Sequence, residues 1–344
     1  MSKKALSILL CTALLAGFTS QAQNIIDKQG RRQGHWIKTD KDGSKIYEGD
    51  FVNGLETGTF TYYYHDGTVR MKNTYIIDGQ LCSHEAYDDK GRIVATGYYN
   101  KHNRDSVWRF YNEQGALVKS TTYKMGIKHG PSVIFTSAGD TAEVSNWVDN
   151  HRHGRWWKRV GRHGYITGTY VKGGLEGRLI EVDDSARLVR EGNYRNGLKH
   201  GNYRFYEGNI ISIDETWSDG RMADRKVLVL TPEPQYISIY DIVCLAPQGK
   251  NRVQVYLKDG GKVVSREPAD NLFARIGNEL FATANRKNRV LVSMRCVEGI
   301  GKDPDGRDVL TLTNPIDLTI FPDEDCIKMV QSRQYEEHSP LDEQ

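Results

Sequence analysis

The side chains best placed to do chemistry are a run of cations and indoles: Arg152, Arg155, Trp156, Trp157, Lys158, Arg159 and Arg162. Interleaved basic and aromatic groups can hold a glycan, a lipid headgroup or an acidic partner through charge and cation–π contacts. A purely structural account competes with this one. Trp156 falls on a recurring inward aromatic position, and long basic side chains keep the outer face of a strand wet. Trp157 is the residue that account leaves over, because strand alternation sends it to the face opposite Trp156. Exposed large aromatics mark contacts. The seven residues are therefore read as a candidate binding patch.

Other chemistry is thinly supported. His129, His153 and His200 stand one residue before a recurring glycine, which suits a turn or edge role. As a metal ladder, His129 and His153 would be separated by about 10 Å, too far to share an ion. Asp303-Pro304-Asp305-Gly306-Arg307-Asp308 alternates carboxylates as a calcium loop does. No bidentate glutamate follows, so a solvated hairpin turn between Val297 and Val309 is expected. Nucleophile elbow, zincin, phosphate-loop and dinucleotide signatures are all missing from the sequence. The expectation is no catalytic residue, no metal and no cofactor.

A repeat of about 24 residues must position these groups. One aromatic site recurs at Phe51, Tyr75, Tyr99, Tyr123, Trp147, Tyr170, Tyr194 and Trp217, at intervals of 24, 24, 24, 24, 23, 24 and 23. Three residues on come Gly54, His102, Gly126, Asn150, Gly173, Gly197 and Gly220, with a slip to Gly79 in the second unit. Seven residues on come Gly58, Ser106, Gly130, Gly154, Gly177 and Gly201, with a slip to Ser83. Gly, Asn and His tolerate positive φ better than most residues, so the first of these positions predicts a tight turn. Between turns, Tyr47, Gly49 and Phe51 share a strand face, as do Gly201, Tyr203 and Phe205, which predicts β-hairpins. Nine residues after their anchors, Phe60, Trp108, Trp156 and Tyr203 take an inward site. A single hairpin holds no core, so each unit stacks its rings on its neighbours. An upstream partial unit lacks the aromatic at Asp27 but keeps Gly30 and Gly34, as a capping repeat would.

The pattern Tyr47-x-Gly49-x-Phe51-x-x-Gly54-x-x-x-Gly58-x-Phe60 resembles the MORN repeat. Asn196-Gly197-Leu198-Lys199-His200-Gly201 and Gly126-Ile127-Lys128-His129-Gly130 resemble its bacterial variant, found in YwqK-type antitoxin-like proteins. The resemblance covers about eight units over residues 30–224. It implies an elongated, twisted, single-layer antiparallel sheet of stacked hairpins that mediates protein or lipid contacts.

Composition changes near residue 225. Of 34 glycines, 26 lie in 23–224 and seven in 225–344, while all six tryptophans and only one of nine prolines, Pro131, lie in the repeats. Residues 226–230, 236–240, 252–256, 289–293 and 309–312 read as strands and 272–280 as a short helix, giving a β-rich C-terminal domain over 225–330. An acidic tail is expected over 331–344. The fold class is all-β.

Residues 1–22 carry Lys3 and Lys4, an apolar run from Ala5 to Phe18 and Ser20-Gln21-Ala22, which reads as a cleaved signal peptide. Cleavage after Ala22 leaves a net charge of 45 − 44 = +1, which gives no general pull toward nucleic acid. Export also makes disulfides possible: Cys82, Cys244, Cys296 and Cys326 could pair in three ways, with one bridge most natural in the last third of the chain. Three functions stay open. The first is an exported, non-enzymatic scaffold that binds a protein or cell-envelope polymer, in the periplasm, at the outer membrane or outside the cell. The second is an immunity-like protein that neutralises a toxin. The third is an enzyme with its site in the C-terminal domain.

Overall fold

The computed structural model describes residues 23–277, 281–285 and 289–337; the expected signal peptide and the end of the expected tail lie outside them. The chain divides into two compact units after Thr141. Ten strands, from Ile25–Ile26 to Ile127–Phe135, make the first unit, and ten more, from Thr141–Val148 to Gln235–Ser238, open the second. Within each unit successive strands pair antiparallel, as stacked hairpins in an open sheet and not a barrel. A small separate β-domain follows. The fold class is the one the sequence implies.

Two kinds of turn alternate along the hairpins. At Asn53–Gly54, Lys101–His102, Met125–Gly126, Asp149–Asn150, Lys172–Gly173, Asn196–Gly197 and Asp219–Gly220 both central residues have positive φ. That is a type I′ turn, whose twist matches the strands it joins. The spacing reveals the second position of each pair; the first is left-handed even where it is Lys101, Met125 or Lys172. The other ends close with an Asp or Asn whose side chain accepts from backbone amides two and four residues on. Asp27, Asp40, Asp88, Asn112 and Asp183 all do this.

The glycine seven residues after each anchor marks a bulge. Tyr194 faces Lys199 and Gly192 faces Tyr203, so the second strand carries two extra residues around Gly201, which has φ +75°. An even insertion preserves the strand's phase, so the residues five and nine after the anchor both stay on the anchor's face. Ser106 occupies the same left-handed position, with φ +58°. Ser83 does not: it pairs in register with Thr74, and the second unit places its irregularity at the turn between Tyr75 and Leu81.

In the second unit the last hairpin strand, Arg221–Val229, crosses residue 225 without a break. Beyond it stand five antiparallel strands in the order Lys262–Ser265, Val253–Leu257, Ile242–Pro247, Val290–Ser293 and Phe281–Ala284. Both faces of this sheet are buried. One packs Leu245, Val255 and Leu291 on Val227, Val229 and the helix Ala269–Ile276. The other packs Cys244, Ala282 and Val292 on the hairpin Val297–Lys302/Asp308–Leu312 and on the helix Glu324–Glu337. The expected helix over 272–280 starts earlier and is closed by Gly277 at φ +80°. The expected tail begins inside the helix Glu324–Glu337.

No disulfide joins the four cysteines among the described residues; all are free and buried. Burial pushes the Cys244 thiol up to about 12 and Cys326 up to about 11, so both are neutral members of the core. Asp303 forms the same turn as the repeats. Its carboxylate accepts from the amides of Asp305 and Arg307 and from Arg307 Nε at 2.8 Å, which leaves no calcium cradle.

Candidate functional site

One face of the hairpin sheet carries a cross-strand row that decides where every ring sits. In the first unit Trp36 faces Gly49, Phe60 faces Asn73, His84 faces Gly97, Trp108 faces Thr121, and Thr121 faces Ser132. In the second, Trp156 faces Gly168, Leu179 faces Gly192, Gly192 faces Tyr203, and Tyr203 faces Glu215. Phe60, Trp108 and Tyr203 each lie over a glycine of one neighbouring strand and face a polar residue, Asn73, Thr121 or Glu215, on the other. A Cβ on Gly49, Gly97 or Gly192 would come within 2.5, 2.4 or 1.9 Å of the ring of Phe60, Trp108 or Tyr203. Where glycine is absent, Asn73 Oδ1 meets His84 Nδ1 at 2.7 Å and Thr121 Oγ1 meets Ser132 Oγ at 2.9 Å.

Phe60, Trp108 and Tyr203 are thereby buried to 1%, 1% and 2% exposure, although the sheet is a single layer. The anchors flank them edge-on: Phe51–Phe60 at 5.1 Å, Tyr99–Trp108 at 5.0 Å and Tyr194–Tyr203 at 6.2 Å between centroids. Such pairs contribute about 0.5–1.5 kcal/mol each beyond area burial. Phe51 is fully buried; Tyr75, Tyr99, Tyr123, Trp147, Tyr170, Tyr194 and Trp217 are half-buried. In several repeats a cation opposite the anchor covers the rings from the solvent side. Arg104 lies 4.5 Å from the Trp108 ring and 5.7 Å from Tyr123, Lys199 lies 4.0 Å from Tyr203 and 4.2 Å from Trp217, and Arg32 lies 5.0 Å from both Trp36 and Phe51.

The candidate patch divides between the two faces. Arg152 and Trp156 belong to the ring face: Arg152 lies over Trp147 and Tyr170, and both donate to Glu143 Oε1, at 3.0 and 2.9 Å. Trp156 is buried, as its inward position predicts. Lys158 shares that face by alternation and is exposed. Arg155, Trp157 and Arg159 lie on the reverse face of the strand Gly154–Val160. Trp157 is half-buried and stacks on Tyr165 at 6.3 Å and 29°. Tyr165 stands directly across from Arg159, and Arg159 donates to the Arg162 carbonyl at 3.0 Å in the turn. Sequence reasoning missed Tyr165, whose partnership with Trp157 depends on hairpin register. The histidines do not converge: His200 sits 3.4 Å from Asp219, and His153 donates its backbone amide to Asn146. Among the described residues no three His, Cys, Asp or Glu side chains gather as a metal site needs.

Where the last hairpins meet the C-terminal sheet, carboxylates are spent on structure. Glu215, 1% exposed, accepts two hydrogen bonds from Arg225, at 2.6 and 2.9 Å, and one from Trp217 Nε1 at 2.7 Å. Arg225 also donates to the carbonyl of Ile276 at 3.0 Å, which ties the helix Ala269–Ile276 to the sheet. Buried Glu267 accepts from Arg275 and from Ser265. Each carboxylate is neutralised by a guanidinium already held in place, an arrangement that fixes position and offers no reactive group. A scan against protein-family models and a search of curated proteins found no match to the chain.

Proposed function

We propose that the chain is an exported, non-enzymatic scaffold of the MORN-like class, docking an acidic protein or cell-envelope polymer on the reverse face of the hairpin Gly154–Val171. The observation that carries this reading is the Trp157–Tyr165 stack, half-buried and set among Arg155 and Arg159 on a face that the ring ladder does not use. An indole and a phenol side by side, bordered by guanidinium groups, suit a surface with acidic and apolar character. Repetition favours the scaffold reading too. A sheet whose polar residues are consumed by turns, ring covers and ion pairs presents broad faces, and binding by a broad face needs no reactive group. Among the described residues no helix is long and apolar enough to cross a membrane.

The test is capture from a native envelope fraction by the purified chain and by its Trp157→Ala and Arg155→Ala variants. Loss of the captured material in both supports the patch. Identical capture by all three proteins contradicts it.

A further inference from the structure

Several repeats carry no cation opposite the anchor, with Glu56, Cys82, Leu175 and Met222 in that place, and at the second repeat a recess opens in the ring face of the first unit. It measures about 140 Å³ and is lined by Met71, Asn73, Tyr75, Gly79, Gln80, Cys82, Tyr99 and His102. In four other units the residue opposite the anchor, or its upstream equivalent, is Arg32, Arg104, Arg152 or Lys199. Each lays its charge over two rings, at 4.0–5.7 Å. Opposite Tyr75 stands Cys82, short, buried and uncharged. The preceding cover position, opposite Phe51, holds an acid, Glu56.

We infer that this recess is a site for an organic cation, an alkylammonium or guanidinium group supplied from outside the chain, seated between Tyr75 and Tyr99 where its own repeats elsewhere place an arginine or lysine. The chemistry of the lining agrees. Asn73, Gln80 and Cys82 carry no charge, and buried His84 beneath them is held neutral by its surroundings, its value pushed down to about 4. Burial chiefly raises Tyr75 and Cys82, and the negative charge of Glu56 adds to the rise in each, so its field reaches the recess. Arg104 faces Tyr99 from the neighbouring strand and lies over Trp108 and Tyr123, while its charge also acts on His84. The volume is ample for such a head group, since a single water needs only about 10–15 Å³ by the same measure. Rings with a cation on the face gain more when water is excluded, which a recess provides and a flat strand does not. This site lies in a different unit from the Trp157 patch and stands or falls separately from it.

The experiment is a titration of the full chain, with ¹³C-labelled tyrosine rings observed by NMR. The probes are N-acetyl-arginine methylamide, the neutral N-acetyl-norleucine methylamide, and a short neutral peptide carrying one arginine. Saturable shifts of Tyr75 and Tyr99 with the arginine probes, and none with norleucine, are expected. Equal saturation by the free amide and the peptide identifies a small-molecule cation site, whereas tighter peptide binding identifies a partner's basic side chain. Glu56→Gln should weaken binding about tenfold. Gln80→Arg, which brings a guanidinium from the rim to the same rings, should abolish it while leaving the thermal unfolding midpoint unchanged. Norleucine binding as tightly as arginine, or arginine binding that survives both variants, would overturn the assignment.

Discussion

Tyr203 rests its ring on the backbone of Gly192, so close that a methyl group there would come within 1.9 Å of the ring. Gly49 with Phe60 and Gly97 with Trp108 repeat the relationship at 2.5 and 2.4 Å. The backbone at these three glycines does not have positive φ, so steric room and not chain conformation selects the residue. This is how a single-layer sheet buries a tryptophan almost completely.

The first prediction grades that contact. Gly192→Ala, Gly97→Ala and Gly49→Ala should each destabilise the fold by about 1–3 kcal/mol, as overpacked cores do. Gly168→Ala, where the nearest atom to the new Cβ is 3.4 Å away, should cost far less. Chemical unfolding of the four variants measures the series; equal losses at all four sites would refute the steric explanation.

Adjacent tryptophans should behave oppositely. Trp156→Ala removes a buried ring and its hydrogen bond to Glu143 and should cost about 3–5 kcal/mol. Trp157→Ala removes a half-buried ring from the reverse face and should cost under about 1 kcal/mol. Thermal melts compare them directly.

Stability should fall in two stages as the solution is acidified. The folded His84 is held at about 4 against an ordinary 6.5, chiefly by burial and then by Arg104, so the unfolded chain takes the proton first. Stability is therefore lost as pH falls from about 6.5 to about 4 and this contribution is constant below that. The turn aspartates shift in the other stage. Asp27 is lowered from 3.8 to about 2, first by the Arg31 amide, and Asp88 and Asp183 are lowered by the amides of Arg92 and Arg187. Their contribution is present above about 3.8 and disappears as pH falls toward 2. Converting the Asn73/His84 pair to Asn73→Gly/His84→Phe, which copies Gly49/Phe60, should erase the upper stage alone. Asp183→Asn should keep its turn, as Asn112 does, and trim the lower one.

The cysteines give a chemical check. After unfolding without reductant, a thiol reagent should titrate all four of Cys82, Cys244, Cys296 and Cys326, and the native chain should react slowly because each is buried. A shortfall of two would mean that a disulfide forms.

The turns were legible because they impose a residue type: positive φ selects Gly54, Asn150 or His102 at fixed intervals. The glycine receptors two residues before the anchors were visible as letters, in Gly49, Gly97 and Gly192, but their purpose lies in the register between strands. The Asp27-like turns also recur in the sequence, yet their carboxylates resemble ordinary surface acids until the amides they accept from are known. In the C-terminal domain, Ile242–Pro247 escaped notice because it is buried on both faces and has no alternation to read. The hairpin expected between Val297 and Val309 is present, with Val297–Lys302 as its first strand although Gly299 and Gly301 lie within it. The helix Glu324–Glu337 opens with acids and is mostly polar along its length, so composition suggested a tail. Of the candidate patch, alternation separated Trp156 from Trp157 correctly. What it could not supply was Glu143, thirteen residues away from Trp156, which claims both Arg152 and that indole for the fold.

The division of labour between faces is tested most directly by envelope binding to three folded variants measured side by side: Arg155→Ala, Trp157→Ala and Lys158→Ala. If the reverse face makes the contact, the first two lose the bound material and Lys158→Ala, one residue away on the ring face, keeps it. Equal binding by Trp157→Ala and the unaltered protein, or equal loss in all three variants, would contradict the account.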